Sequence, residues 1–150
     1  MRYFVMESQE SILLPLVVNR EGAEVVAASD LSRYCDIDYD VRSGLISERL
    51  KLLMAMYMPK YDFDPVVYLD AAQEEQMIFW RFSPPFYADY EADYRNDGVV
   101  SRIVFQSDRM PVAFTARSPR GVRSVVVRMA VAESALRREI FGAKFTKITE

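Results

Sequence analysis

The sequence predicts an α+β fold in which a mainly antiparallel sheet carries two main helices. Short apolar runs separated by proline, glycine and polar residues occur along most of the chain and are typical of strands. Two segments, residues 47–57 and 132–141, repeat apolar residues at the spacing of amphipathic helices. Hydrophobic residues make up 51% of the 150 residues, so we expect a proper core and a single domain over residues 1–150.

Extended segments dominate the N-terminal part of the chain. Strands or strand-like segments are predicted over residues 2–6, 12–18 and 24–28. The second of these contains Pro15, which cannot donate a hydrogen bond to a ladder, so we place it at a sheet edge. Residues 29–43 are polar and are predicted to form turns.

The first helix is predicted over residues 47–57. Its apolar side chains share one face: Ile46, Leu50, Leu53, Met54 and Tyr57. Ser47 is a suitable N-cap, and Pro59 prevents the helix from continuing.

Two neighbouring strands, residues 66–69 and 76–82, are predicted after this helix, with a short polar connection between them. The next segment, residues 87–97, is acidic and aromatic, and both a helix and an ordered loop remain open for it. A strand over residues 99–105 follows it.

A hairpin is predicted from residues 112–116 and 124–129, because Pro119 and Gly121 interrupt two apolar runs. The last helix, residues 132–141, is indicated by a four-residue repeat: Ala132, Leu136 and Ile140. Gly142 lies where a left-handed C-terminal cap is expected, and residues 143–148 are predicted to form a short strand.

Several stretches share a pattern with one bacterial family. They are the N-terminal MRYFVME, then LISERLKLLMAMY and FDPVVYLD (residues 45–57 and 63–70), and VVVRMAVAESALRREIFGAKF (residues 125–145). Together they resemble the immunity proteins of bacterial polymorphic toxin systems, in the families numbered eleven and forty-three, formerly a domain of unknown function. The resemblance implies a non-catalytic α+β protein that binds and neutralises a cognate toxin domain.

The composition indicates where in the cell the protein is expected. No apolar run approaches the roughly 20 residues that a membrane helix needs, and the N-terminus lacks the pattern of a signal peptide. The lone Cys35 cannot form an internal disulfide, which points to the cytoplasm. We expect no membrane partner, and the oligomeric state stays open.

The residue types exclude most catalytic chemistry. The chain contains no histidine, so histidine-based triads and the commonest zinc and iron ligand sets are excluded. The run DIDYD, residues 36–40, superficially resembles a calcium loop, but Val41 and Ser47 occupy the two positions that make the motif specific. We therefore predict no enzyme activity, no catalytic residue, no metal site and no cofactor.

Charge is divided unevenly along the chain. Residues 1–99 carry 18 acidic and 9 basic side chains, and residues 100–150 carry 4 and 10, so the halves sum to −9 and +6. The two halves either neutralise each other on packing or leave an acidic face that attracts a basic partner, such as a toxin that attacks nucleic acid.

Arginines in the predicted hairpin support an alternative function, a small nucleic-acid or regulatory binding module. The hairpin spans residues 117–128 and contains four arginines: Arg117, Arg120, Arg123 and Arg128. Phosphates bind such side chains, but the hairpin has no interleaved aromatic residue and the chain is acidic overall, so we expect nucleic acid less than a protein partner.

The densest mixture of aromatic and acidic residues is the candidate partner-binding segment. We predict that these residues contact the toxin: Phe86, Tyr87, Asp89, Tyr90, Glu91, Asp93 and Tyr94. The alternative is that the tyrosines pack at the edge of the core. Phe79, Trp80 and Phe82, which precede the segment, are expected in the core itself.

Overall fold

A computed structural model describes residues 2–9, 13–106 and 111–149. The strands in these ranges are β1 (Tyr3–Ser8), β2 (Glu24–Ala27), β3 (Tyr39–Asp40), β4 (Leu45–Ser47), β5 (Pro65–Asp70), β6 (Glu75–Arg81), β7 (Tyr90–Tyr94), β8 (Val100–Phe105), β9 (Ala113–Arg117), β10 (Arg123–Arg128) and β11 (Ala143–Lys147). The helices are α1 (Glu48–Tyr57), α2 (Met129–Arg137) and a 3₁₀ helix, Leu31–Tyr34. The predicted α+β class with mainly antiparallel sheets and two main helices is confirmed.

The described residues form two compact units that are interleaved in sequence. The first unit takes its residues from 1–7, 83–138 and 144–150, and the second from 8–82 and 139–143. A single domain over residues 1–150 stays a prediction.

The first unit contains a four-stranded sheet in the order β11-β1-β10-β9 and the separate hairpin β7-β8. The predicted hairpin of β9 and β10 is confirmed, with Phe114 opposite Val126 in its antiparallel register. One apolar cluster joins both sheets, and its buried members are Tyr3, Val5, Val100, Ile103, Phe114, Ala116, Val126 and Ile148. The hairpin β7-β8 therefore covers one face of the four-stranded sheet.

Helix α2 begins three residues before the predicted start and ends four residues before the predicted end. Its buried residues are Val131, Ala132 and Ala135, whereas Leu136 is 57% exposed. Ile140 is buried but lies beyond the helix. The predicted cap at Gly142 is also wrong, because Glu139 already takes the left-handed backbone conformation, with φ of 58°.

The second unit contains a five-stranded sheet in the order β2-β5-β6-β4-β3. Strands β5 and β6 are neighbours, as predicted, and they pair antiparallel. Among these described strands, only the pairing of β2 with β5 is parallel. Helix α1 begins one residue after the predicted start, because the Ser47 hydroxyl caps it by accepting from the Leu50 amide at 3.2 Å.

The core of the second unit lies against one face of this sheet. Its buried members are Leu14, Leu31, Tyr34, Ile37, Leu45, Val66, Tyr68 and Phe79. Residues 13–18 form no regular strand, and residue 12 of that predicted segment lies outside the described residues. Phe79 and Phe82 are buried as predicted, but Trp80 is only half-buried, because it occupies the opposite face of β6 and lies under the Lys51 ammonium at 4.5 Å.

A buried carboxylate joins distant parts of the second unit. Asp38 accepts hydrogen bonds from the Ser47 hydroxyl at 2.6 Å, from the Arg49 guanidinium at 2.8 Å and from the Gly142 amide at 2.7 Å. An added Cβ on Gly142 would lie 1.9 Å from the Asp36 carbonyl oxygen. Glycine is therefore required here by a close approach of two backbones and not by a helix cap.

Replacing Asp38 by alanine is expected to lower the free energy of unfolding by about 3 kcal/mol, because a partly buried hydroxyl and a buried amide lose their acceptor. Urea denaturation followed by circular dichroism measures the change. The matched control is Asp36→Ala, two residues away and exposed, which should change stability by less than about 0.5 kcal/mol. Equal, small losses for the two variants would contradict the role given to Asp38.

Candidate functional site

The acidic and aromatic segment forms a strand, β7, paired antiparallel with β8. Neither the helix nor the ordered loop predicted for residues 87–97 is therefore correct over Tyr90–Tyr94. The sequence contains the signal for a strand, because Tyr90, Ala92 and Tyr94 alternate with Glu91 and Asp93 at the two-residue period of β structure.

The two faces of this hairpin differ in chemistry. Tyr90, Ala92 and Tyr94 are partly buried and pack against the core of the first unit. Glu91 and Asp93 are exposed on the outer face, and Asp89 is exposed just before the strand. The structure therefore brings the three predicted carboxylates together on one surface, which we call the acidic face, and turns the tyrosines away from it.

Stacked aromatic rings fix the position of the acidic face. The ring of Tyr87 stacks on that of Tyr90, with centroids 6.3 Å apart, and lies 5.5 Å from that of Phe114. Phe105, directly opposite Tyr90 on β8, contacts the ring of Tyr3 at 4.8 Å. Burial raises the pKa of the Tyr90 hydroxyl to about 12, so this ring stays neutral at physiological pH.

Ion pairs neutralise only some of the carboxylates in and around β7. Asp93 binds Arg102 across the ladder at 3.3 Å, at a largely exposed position. Arg95 binds both Asp97 and Glu7, and the hydrogen bond from Arg95 is the main cause of the lowered pKa of Asp97. Within the described parts of the chain, neither Asp89 nor Glu91 forms an ion pair. These two carboxylates are the available charges of the acidic face.

Phe86 does not lie with the other predicted contact residues. The segment before β7 runs parallel to β9, and the backbone amide of Tyr87 donates to the Thr115 carbonyl at 3.3 Å. Because successive side chains of an extended chain point to opposite faces, Tyr87 enters the core and Phe86 lies on the far face, 53% exposed. There it contacts Arg117 and Arg123, with their guanidinium carbons 6.0 and 5.3 Å from the ring centroid.

The arginine hairpin contains no interleaved aromatic residue, as the sequence shows, but the fold supplies an aromatic neighbour from another segment. Phe86 is remote in sequence from both arginines, so no local pattern signals the contact. Arg117, Arg123 and Phe86 form what we call the basic–aromatic patch. It lies on the opposite side of the first unit from the acidic face, because Phe114, Ala116 and Val126 of the same strands face the core beneath β7-β8.

The calcium-like run DIDYD supplies structural acceptors. Asp38 is the buried centre described above, and Asp40 is also buried, accepting from the backbone amides of Leu14 at 3.3 Å and Arg42 at 3.0 Å. Neither role is signalled by the sequence around these residues, because the groups that they bind lie in distant segments or in the backbone. The hydrogen bond to Asp38 is the main cause of the raised pKa of Arg49.

Two further features concern chemistry and membranes. The structure, over the residues that it describes, contains no group of three or more acidic, cysteine or histidine side chains placed to hold a metal ion, and Cys35 is exposed. No helix in the same part of the chain is long and apolar enough to cross a membrane.

Comparison of this chain with protein-family models, with curated proteins and with solved structures found no match. The resemblance to the two immunity families stays a hypothesis. Residues from its two main motifs nevertheless meet in space: Ser47 and Arg49 from the first and Gly142 from the last all bind Asp38.

The two faces of β7 should respond differently to truncation. Tyr90→Ala is expected to lower the free energy of unfolding by about 2 kcal/mol, because it removes a half-buried ring from the core. Glu91→Ala, one residue along on the acidic face, should cost less than about 0.5 kcal/mol. Urea denaturation measures the free energy of unfolding of both variants. A larger loss of stability for Glu91→Ala than for Tyr90→Ala would contradict the assignment of the two faces.

Proposed function

We propose that this chain is a bacterial immunity protein that binds a cognate toxin domain in the cytoplasm and neutralises it, without catalysis of its own. The observation that carries the proposal is the acidic face, in which Asp89, Glu91 and Asp93 line one exposed surface of a strand anchored by tyrosines on its other surface. The resemblance over residues 45–70 and 125–145 supplies the class of partner.

The acidic face favours a basic partner. Clustered carboxylates steer a positively charged surface toward them and raise the association rate, and complementary charges then fix the orientation of the complex. A toxin that attacks nucleic acid needs a basic site for its substrate. A protein that covers such a site with carboxylates excludes the substrate both sterically and electrostatically.

The tyrosines of β7 contribute indirectly in this mechanism. Tyr87, Tyr90 and Tyr94 keep the strand rigid, which reduces the entropy lost on binding. Val104 lies opposite Glu91 on β8 and is 39% exposed, so it supplies apolar contact within the charged surface. Direct contacts are therefore expected from the carboxylates and Val104, with the rings as their support.

The primary test is complex formation with the toxin domain encoded beside this gene. Native mass spectrometry of the two full chains is expected to show a stable complex, and the toxin should lose activity when this chain is added. A neighbouring toxin that neither binds nor is silenced would overturn the proposal.

Charge reversal tests the surface itself. The variant Asp89→Lys, Glu91→Lys, Asp93→Lys is expected to lower the association rate for the toxin at least tenfold at low salt, and the difference should shrink as salt is added. Stopped-flow fluorescence or surface plasmon resonance measures the rate at both salt concentrations.

The matched control carries the same change of net charge at exposed positions of the second unit: Glu21→Lys, Asp62→Lys and Glu75→Lys. Its association rate should stay within about threefold of the parent rate, because dispersed substitutions change the net charge equally but leave the cluster of carboxylates on the acidic face intact. Equal losses for both triple variants would assign the effect to net charge and remove the acidic face from the mechanism.

A further inference from the structure

The basic–aromatic patch contains an electrostatic conflict. Arg117 and Arg123 are exposed and directly opposite each other on the antiparallel strands β9 and β10. Like charges at directly opposed positions destabilise a sheet. No carboxylate in the described ranges forms an ion pair with either guanidinium, so no described carboxylate offsets the repulsion.

The Phe86 ring offsets the repulsion between the two arginines only in part. Both guanidinium groups lie within cation–π distance of the ring, at 6.0 and 5.3 Å from its centroid. Their hydrogen-bond donors still require acceptors, and about half of the ring surface is open to solvent. Two cations and an exposed aromatic ring at one place are the combination that binds an anion attached to a flat apolar group.

The surrounding backbone holds the patch rigidly. The turn between the strands is closed by the Ser118 amide, which donates to the Val122 carbonyl at 2.9 Å, and by Gly121, whose φ of 87° suits glycine. The Tyr94 hydroxyl donates to the Arg117 carbonyl at 3.1 Å. Arg120 donates to the Asn96 carbonyl at 2.5 Å and so leaves only part of its guanidinium for a ligand.

We propose that Phe86, Arg117 and Arg123 bind single-stranded nucleic acid. The two guanidinium groups take phosphate oxygens, and a base stacks on the exposed part of the Phe86 ring. Single strands are favoured over a duplex because only unpaired bases present a free face. They are favoured over an acidic peptide because a carboxylate side chain uses the arginines and leaves the ring without a partner.

This activity goes beyond toxin binding and uses different residues on the other side of the first unit. Loss of nucleic-acid binding therefore leaves the toxin complex intact, and loss of the toxin complex leaves nucleic-acid binding intact. Measurement of both complexes for each variant keeps the failure of one proposal distinct from the failure of the other.

The test is fluorescence anisotropy of fluorescein-labelled oligouridylate and oligothymidylate with the full chain at several salt concentrations. Arg117→Gln and Arg123→Gln are each expected to weaken binding about tenfold at low salt and to reduce the slope of log affinity against log salt by about 0.7. Phe86→Leu is expected to weaken binding at least fivefold with the slope unchanged, because it removes stacking without removing charge.

The charge-matched control is Arg138→Gln, another exposed arginine of the first unit, which should stay within about twofold of the parent. All these side chains are exposed, so circular dichroism melting should show folded variants. Four results would overturn the proposal: no binding by the parent at low salt, equal weakening by Arg138→Gln, no effect of Phe86→Leu, or equal competition by poly-glutamate. The last result would assign the patch to acidic polypeptides.

Discussion

Packing of aromatic rings in the first unit is the constraint on which both proposed surfaces depend. Tyr3, Phe105 and Phe114 make mutual contacts, and Tyr87 and Tyr90 add to the same cluster. Each ring buries a large apolar area, so the backbone that carries it has little freedom. Because side chains alternate along extended strands, placing Tyr87 and Tyr90 inside forces Glu91 and Asp93 outward on one side and Phe86 outward on the other.

The first unit therefore carries two surfaces of opposite character. The acidic face has two carboxylates that form no ion pair with a described residue. The basic–aromatic patch has two arginines that likewise form no ion pair with a described residue. Opposite charges on one surface would neutralise each other, but here the four-stranded sheet and its core separate them. This separation allows one small unit to carry both proposed sites, one for a basic protein and one for a polyanion.

The second unit depends on buried charge. Removing the Asp38 carboxylate from water is costly, and the cost is offset because three donors converge on it, two from the start of α1 and one from Gly142. Glu24 plays a comparable part, since it pairs with the nearly buried Arg81, which also donates to the carbonyls of Asn19 and Gly22. In both places a side chain organises a stretch of irregular backbone that apolar packing alone leaves unspecified.

The sequence by itself determined the α+β class, helix α1, the β5-β6 pair and the β9-β10 hairpin, because periodicity, caps and turn residues act over a few neighbouring positions. It also determined that Asp89, Glu91 and Asp93 share a segment with tyrosines. The two-residue alternation in this segment also signals a strand, but only the tertiary structure decided that its tyrosines face inward and that Phe86 lies beside Arg117 and Arg123. Only the tertiary structure likewise brought together Asp38 and Gly142, which are 104 residues apart in sequence. Contacts of this kind follow from how distant segments pack, and no local pattern of residues encodes them.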